Sequence, residues 1–150
     1  MPKIEYLAVA DHAEAINGKL YLHGAGWTEI TQPVGPQGQP GIVHMGMAAS
    51  ILVGWTETNR RFPLTLKVIH EDGDELANIG AQIEAGRPAG VPEGSDLRNV
   101  LAVSAEMQFP KPGSYELRAK LGEEERSVTF RVRRQVPAGG PAGLPFQAAP

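Results

Sequence analysis

Apolar residues recur at every second position from Val43 to Trp55, and this stretch is the clearest structural signal in the chain. The odd positions are all apolar, whereas the even ones, among them Gly46, Ala48 and Ser50, are mostly small. A single apolar face at period two predicts a β-strand with one buried side. Its length and apolar character place it inside a sheet rather than at an edge. The small even positions indicate that a second layer or a neighbouring backbone lies close to that face.

Two β-hairpins are predicted by turn dipeptides between alternating residues. Asn17-Gly18 suits a two-residue type I′ turn, and Asp72-Gly73 marks a second tight turn. The first turn sets the pairs Ala15–Leu20, Ala13–Leu22, Glu14–Tyr21 and His12–His23. The second sets the apolar pairs Phe62–Ile83, Leu64–Ala81, Leu66–Ile79 and Val68–Ala77. A slip of one residue would move these side chains to the wrong face, so the register is well determined.

The other segments also alternate or break in ways typical of β-structure. Residues 97–109 resume the alternation, and a last hairpin pairs 115–121 with 128–132, with Gly122–Glu125 between them. Trp27–Thr31 is expected to continue the first hairpin after a bulge. Residues 32–41 and 86–96 are predicted to be loops, because both segments are rich in Pro and Gly. No helical stretch is found, so the prediction is an all-β, antiparallel sandwich of about eight or nine strands, with a closed or partly open barrel as the alternative.

The composition assigns residues 1–134 to one β-sandwich domain and 135–150 to an uncharged Pro/Gly-rich tail. This tail cannot offset its ordering entropy with its few apolar groups. Leu144 and Phe146 are its large apolar side chains. They are candidate partner-binding residues if the tail acts as an arm that docks on a neighbouring subunit.

Charge and cysteine content restrict the function classes. The net charge of −3, with acidic and basic residues interspersed, gives no reason to expect nucleic-acid or anionic-membrane binding. The chain has no cysteine, which excludes disulfides, thiolate metal sites and a cysteine nucleophile. We see neither a signal peptide nor an apolar run of the roughly 18 residues that a membrane span needs. A cytoplasmic protein is therefore expected.

Four segments together resemble a family of small bacterial proteins known only as a domain of unknown function. They are NGKLYLHGAGW, WTETNRRFPLTLKVIHEDG, GRPAGVPEGSDLRNVLAV and PKPGSYELRAKLGEEERSVTFRV. The resemblance covers about residues 3–134 and implies a compact β-sandwich with no assigned activity and no catalytic residues to carry over. The last hairpin is also similar to the closing hairpin of bacterial immunoglobulin-like modules, which implies an immunoglobulin-like sandwich.

Two sets of residues are candidate metal ligands. His12 and His23 face each other in the predicted register with Glu14 diagonal to both, a set able to bind Zn²⁺ or Ni²⁺. His44 with Met45 and Met47 has the donor types for copper. The simpler interpretation is favoured in both cases: polar residues on a solvated face for the first set, and methionines packed in the core for the second. No metal and no cofactor is predicted.

Three arginines are candidate ligand-binding residues. Arg60, Arg61 and Arg87 lie in loops that could meet at one end of the sandwich, where guanidinium groups would suit a carboxylate or phosphate. Solvation of a turn, with pairing to Glu57 or Asp96, is the simpler interpretation. The two tryptophans are expected to be partly buried core or rim residues.

The sequence has no recognisable catalytic motif. It lacks a phosphate-binding Gly-rich loop followed by a helix, HExxH and Gly-x-Ser-x-Gly. An enzyme with a dispersed site built from the four histidines and a serine stays open as a third hypothesis. The hydroxyls available to it are Ser50, Ser95, Ser104, Ser114 and Ser127.

The leading functional hypothesis is a non-catalytic interaction module. It would bind a protein partner or itself through a sheet face or edge. Binding of a small anion or other ligand near the three arginines is the second hypothesis.

Overall fold

The computed structural model describes residues 1–135, which form nine β-strands and one short 3₁₀ turn. The strands are β1 (Lys3–Ile16), β2 (Lys19–Ala25), β3 (Glu29–Gln32), β4 (Val43–Val53), β5 (Phe62–His70), β6 (Glu75–Ile83), β7 (Leu97–Met107), β8 (Gly113–Leu121) and β9 (Glu124–Arg134). No α-helix occurs in this part of the chain. The predicted all-β class is confirmed.

The strands form two sheets that pack face to face as a β-sandwich. The four-stranded sheet has the order β2-β1-β4-β7, and the five-stranded sheet has the order β3-β9-β8-β5-β6. The sheets do not close on each other, so the alternative of a closed barrel is wrong. The immunoglobulin-like part of the prediction stays a prediction.

Strand β4 lies inside its sheet, between β1 and β7, as its pattern predicts. Its odd residues from Val43 to Val53 are all buried, and Met45 and Met47 are fully inaccessible to solvent. They face the aromatic residues Phe109, Tyr115 and Phe130 and the aliphatic residues of the opposite sheet in one hydrophobic core. The strand ends at Val53 rather than Trp55. Gly54 begins a 3₁₀ turn there, closed by the Glu57 amide donating to the Gly54 carbonyl at 2.9 Å.

The first hairpin covers the even face of β4 at Gly46. Strand β1 pairs with β4 up to Ala10, which lies opposite Gly46, and beyond Ala10 it pairs only with β2. The hairpin then crosses the outer face of β4 and β7. A Cβ placed on Gly46 would lie 2.5 Å from the backbone nitrogen of Ala13. The sequence-based expectation that a neighbouring backbone lies close to this face is therefore confirmed.

Ser104 of β7 fastens this hairpin in place. Its hydroxyl accepts a hydrogen bond from the Ala13 amide at 3.0 Å and donates one to the Ala13 carbonyl at 2.8 Å. Ser104 lies opposite Gly46 in the β4–β7 pairing. One side chain thus satisfies both backbone groups of a residue that has left the β4 ladder.

Replacing Ser104 with alanine should lower the free energy of unfolding by about 1–3 kcal/mol, because both polar groups of Ala13 lose their partner. Chemical denaturation measures this directly. The matched control is Ser127→Ala on the exposed face of β9, which should stay within about 0.5 kcal/mol of the wild type. Equal effects of the two substitutions would contradict this role of Ser104.

The predicted hairpin registers are confirmed. The β1–β2 pairs include His12–His23, Glu14–Tyr21 and Ala15–Leu20. The β5–β6 pairs include Phe62–Ile83 and Leu66–Ile79, with a bulge only beside the turn. Asn17 and Gly18 both have positive φ, at 51° and 73°, as a type I′ turn requires.

Two local expectations are wrong. Glu29–Gln32 does not continue the first hairpin but crosses to the other sheet and pairs with β9 in parallel. The change of direction follows Gly24 and Gly26, both at positive φ. The last hairpin also has a tighter turn than the predicted Gly122–Glu125. Strand β9 already begins at Glu124, whose carboxylate accepts a hydrogen bond from the Ile4 amide at 2.9 Å.

Candidate functional site

Four polar side chains form a continuous line where the first hairpin meets β4 and β7. Glu14 accepts from Nε2 of His12 at 2.7 Å, Nδ1 of His12 lies 2.8 Å from Nε2 of His44, and Nδ1 of His44 donates to Glu106 at 2.9 Å. We call these four residues the histidine line. Their side chains are between 35% and 64% exposed, so the line lies at the surface.

The predicted metal-binding residues do not come together as expected. His12 and His23 are opposite each other, but their ring centres are 6.3 Å apart and the rings are tilted by 42°. Glu14 is bound to His12, whose other nitrogen faces His44 rather than His23. Within residues 1–135 no group of three or more acidic or histidine side chains is arranged to hold a metal ion. Met45 and Met47 lie in the core, on the face of β4 opposite His44.

Two of the three predicted arginine residues bind separate partners. Arg87 stacks on Trp55, with its guanidinium carbon 4.2 Å from the ring centre, and donates to the Trp55 carbonyl at 2.6 Å. Arg61 donates to Glu84 at 3.1 Å. Arg60 contributes to lowering the pKa of Glu57, whose main cause is the hydrogen bond with the N-terminal amine. Glu57 itself is bound by the N-terminal amine.

The two tryptophans are partly buried, as expected. Trp27 packs edge-on against Phe130 with 5.6 Å between ring centres. Trp55 lies at the surface beneath Arg87.

A charged cluster at the β5–β6 turn was not found by sequence reasoning. Lys111 binds both Asp72 and Asp74 and lies 2.6 Å from Asp74. His70 is only 8% exposed; its Nε2 donates to the Pro112 carbonyl at 3.0 Å, and its Nδ1 accepts the Asp72 amide at 3.2 Å. The cluster joins the turn to the segment before β8. The signal in the sequence was the acidic turn Glu71–Asp74, but the lysine that neutralises it comes from a distant loop.

These contacts shift three pKa values. The hydrogen bond to Pro112 raises the pKa of His70 above its ordinary value; Asp72 adds to this, and burial opposes it. The hydrogen bond with Lys111 holds the pKa of Asp72 far below its usual range, and the same bond raises the pKa of Lys111. Asp72 and Lys111 therefore keep their charges at neutral pH.

The raised pKa of His70 predicts a pH-dependent stability. A group with a higher pKa in the folded state stabilises the fold fully below its unfolded value of about 6.5, and this contribution is lost as the pH rises through the folded value. The free energy of unfolding should therefore fall as the pH rises from about 6.5 through the pKa of His70 in the folded state. His70→Gln should flatten the corresponding part of the profile, as followed by thermal unfolding. A wild-type profile that matches that of H70Q would contradict this assignment.

The residues of the dispersed-site hypothesis can also be located. A surface depression of about 330 Å³ is lined by His70, Ser114, Tyr115 and Arg118, among others. Both ring nitrogens of His70 are already hydrogen-bonded to backbone groups of this chain. Ser104 is likewise engaged with Ala13, and Ser50 donates to Glu5 at 2.7 Å. No serine–histidine hydrogen bond occurs within residues 1–135.

Strand β6 is a candidate interaction surface. It forms one edge of the five-stranded sheet and pairs on its other side with β5. After Glu75 it has no charged residue up to Ile83. Of the other edge strands, β2 carries Lys19, β3 has only four residues, and β7 carries charges near both ends. Proteins usually protect an exposed edge with charges, prolines or bulges, and β6 has only the bulge beside its turn.

The side of the sandwich next to β6 also exposes part of its core. The inward-facing residues of the central strands are buried, whereas most of those along β6 and β7, apart from Ile83 and Met107 at the strand ends, are only partly buried. This partly buried set comprises Leu76, Ala77, Ile79, Leu97, Leu101, Val103 and Ala105. We call β6 together with these residues the β6 flank.

The fold defines a small β-sandwich protein, and comparison assigns it to a family. The model of the family of unknown function DUF6941 matches residues 5–133, so the chain belongs to that family. The resemblance to a family of unknown function, identified from the sequence, is thereby confirmed. No curated protein shows significant similarity to the chain. Within residues 1–135 there is no helix that could cross a membrane.

Leu144 and Phe146, the predicted partner-binding residues of the tail, lie outside the described residues. So does the tail itself, apart from Gln135.

Proposed function

We propose that this protein is a non-catalytic interaction module that associates with a second copy of itself through the free edge of β6. The observation that carries the proposal is the uncharged run from Leu76 to Ile83 on an edge strand without a partner within residues 1–135. Edge strands of this kind pair with added strands through their backbone groups. A bacterial cytoplasmic location is part of the proposal, since a chain without cysteine suits a reducing compartment.

The strand is suited to pairing with its own copy. In an antiparallel pair about a two-fold axis at Ile79, Asn78 lies opposite Gly80, Ala77 opposite Ala81, and Glu75 opposite Ile83. No two like charges then face each other, so the pairing avoids an unfavourable repulsion. This self-complementarity favours a second copy over an unrelated protein.

Association would also cover the partly exposed core of the β6 flank. Ala77, Ile79 and Ala81 point to the interior side of the sheet, because their partners Val68, Leu66 and Leu64 are buried. A paired β6 would continue this apolar layer into the second copy. Burial of apolar surface is the dominant favourable term in most protein association.

Binding of an anion at the arginine-bearing loops has less support. Two of the three guanidinium groups are already engaged by Trp55 and Glu84. The engaged arginines would have to give up these contacts to bind a ligand.

The solution mass over a hundredfold range of concentration, measured by light scattering, tests the proposal. We expect a species of twice 16.0 kDa that dissociates on dilution. A constant 16.0 kDa throughout would refute self-association. A chain truncated after Arg134 should form the same dimer as the full chain, whereas a truncated chain that stays monomeric would place the contact in the tail with Leu144 and Phe146.

A further inference from the structure

The two rings at the centre of the histidine line are arranged for an in-line hydrogen bond. Their planes differ by only 19°, and their centres are 5.1 Å apart. That separation is the 2.8 Å between Nδ1 of His12 and Nε2 of His44 plus roughly one ring radius on each side. The contact axis therefore passes through both rings, as in a shared N–H···N hydrogen bond. It does not match two ligands whose lone pairs converge from the side on one metal ion.

The number of protons in the line follows from this geometry. Carboxylates only accept, so Glu14 requires a proton on Nε2 of His12, and Glu106 requires one on Nδ1 of His44. The central contact needs a third proton between the rings, because two lone pairs at 2.8 Å repel each other. Two neutral imidazoles carry only two protons. All three hydrogen bonds can form only when the pair holds one additional proton.

We infer that His12 and His44 bind one additional proton between them, and that this shared proton fastens the first hairpin to β4 and β7. Loss of the proton at higher pH leaves one of the three contacts without a hydrogen and loosens the hairpin. A further proton at low pH places two N–H groups against each other and also breaks the central bond. The first hairpin is therefore bound most strongly to β4 and β7 when the two histidines together hold three protons.

The surrounding charges support a single added proton. The ionisable groups that face the pair are Glu14 on β1, His23 on β2 and Glu106 on β7, with Asp11 next to His12 in the chain. The two carboxylates at the ends of the line stabilise one positive charge between them. His23 has no hydrogen bond in the line, although it is opposite His12. It therefore provides a control histidine on the same hairpin.

Hydrogen exchange of the Ala13 amide tests the inference, since this amide donates to Ser104 only when the hairpin lies on β7. Comparing wild type with His44→Gln at equal pH cancels the intrinsic pH dependence of exchange. At about pH 6, exchange should be roughly fivefold faster in H44Q. At about pH 8.5, where imidazoles have lost their added protons, the two rates should agree within about twofold.

His23→Gln is the matched control and should leave the Ala13 exchange rate unchanged at both pH values. Ring-nitrogen NMR of the wild type should show Nε2 of His12 and Nδ1 of His44 protonated at both pH values, with a third shared proton only at the lower one. A ratio between H44Q and wild type that is the same at both pH values would overturn the inference. Displacement of the ring protons by added Zn²⁺ at equimolar concentration would also overturn it and assign the pair to a metal.

Discussion

Asn78→Glu combined with Gly80→Glu should convert the self-associated protein to a monomer without unfolding it. In the proposed two-fold pair, positions 78 and 80 of the two copies face each other twice. Two like-charge pairs would then form across the interface. Two such pairs at up to about 1 kcal/mol each cost up to about 2 kcal/mol, so we expect association to weaken by up to about thirtyfold. Light scattering at fixed concentration measures the change.

The individual fold should accept these two substitutions. Asn78 and Gly80 are exposed on the outer face of β6, and a Cβ on Gly80 would meet no atom within 4 Å. Within the chain, position 78 lies opposite Lys67, so an added carboxylate gains a favourable neighbour. The circular dichroism spectrum and thermal unfolding of the monomer should therefore resemble those of the wild type.

The matched control is Asn78→Glu with Gly80→Lys. It alters the same two positions but places opposite charges across the interface, so association should be kept or strengthened. If N78E/G80E and N78E/G80K have the same mass, the edge of β6 is not the interface.

Gly46→Ala should destabilise the fold by about 3 kcal/mol, at the upper end of the usual cost of overpacking. The added Cβ would lie 2.5 Å from the Ala13 nitrogen and 2.7 Å from the His12 carbonyl carbon. Both are backbone atoms, so no side chain can move aside to relieve the contact. The hairpin must lift from β4, which also breaks the hydrogen bonds of Ala13 with Ser104.

Gly80→Ala is the matched control within a strand of the other sheet. Its Cβ would meet open space, and alanine loses less conformational entropy than glycine on folding. We therefore expect a gain of about 0.5 kcal/mol. Chemical denaturation at one low protein concentration compares the two variants. A Gly46→Ala change as mild as Gly80→Ala would contradict the close approach of the hairpin to β4.

The sequence predicts the hairpins well because their signals are local. Asn17-Gly18 and Asp72-Gly73 fix both turn and register, and alternation then determines which side chains are buried. The buried face of β4 follows for the same reason. Even the close backbone at Gly46 has a local signal, namely the run of small residues on the even face.

The contacts that sequence reasoning missed join residues far apart in the chain. His12 meets His44 because β1 leaves β4 after Ala10, and nothing in the residues around Ala10 indicates that crossing. The predicted partner was His23, the cross-strand neighbour, since a pairing register describes only contacts within one sheet. Lys111 reaches the β5–β6 turn in a similar way. Strand β3 was misassigned because its parallel partner lies about one hundred residues later.

The most direct test of self-association through β6 is a disulfide cross-link at the two-fold axis. The chain has no cysteine, so Ile79→Cys introduces a single thiol. Directly opposite residues of antiparallel strands have Cα atoms roughly 4.5–5.5 Å apart, within the range a disulfide spans. Oxidation of I79C should give a covalent dimer, and oxidation of Gln82→Cys should not, because position 82 faces position 76 of the other copy. No cross-link in I79C, or equal cross-linking in both variants, would contradict the proposed pairing.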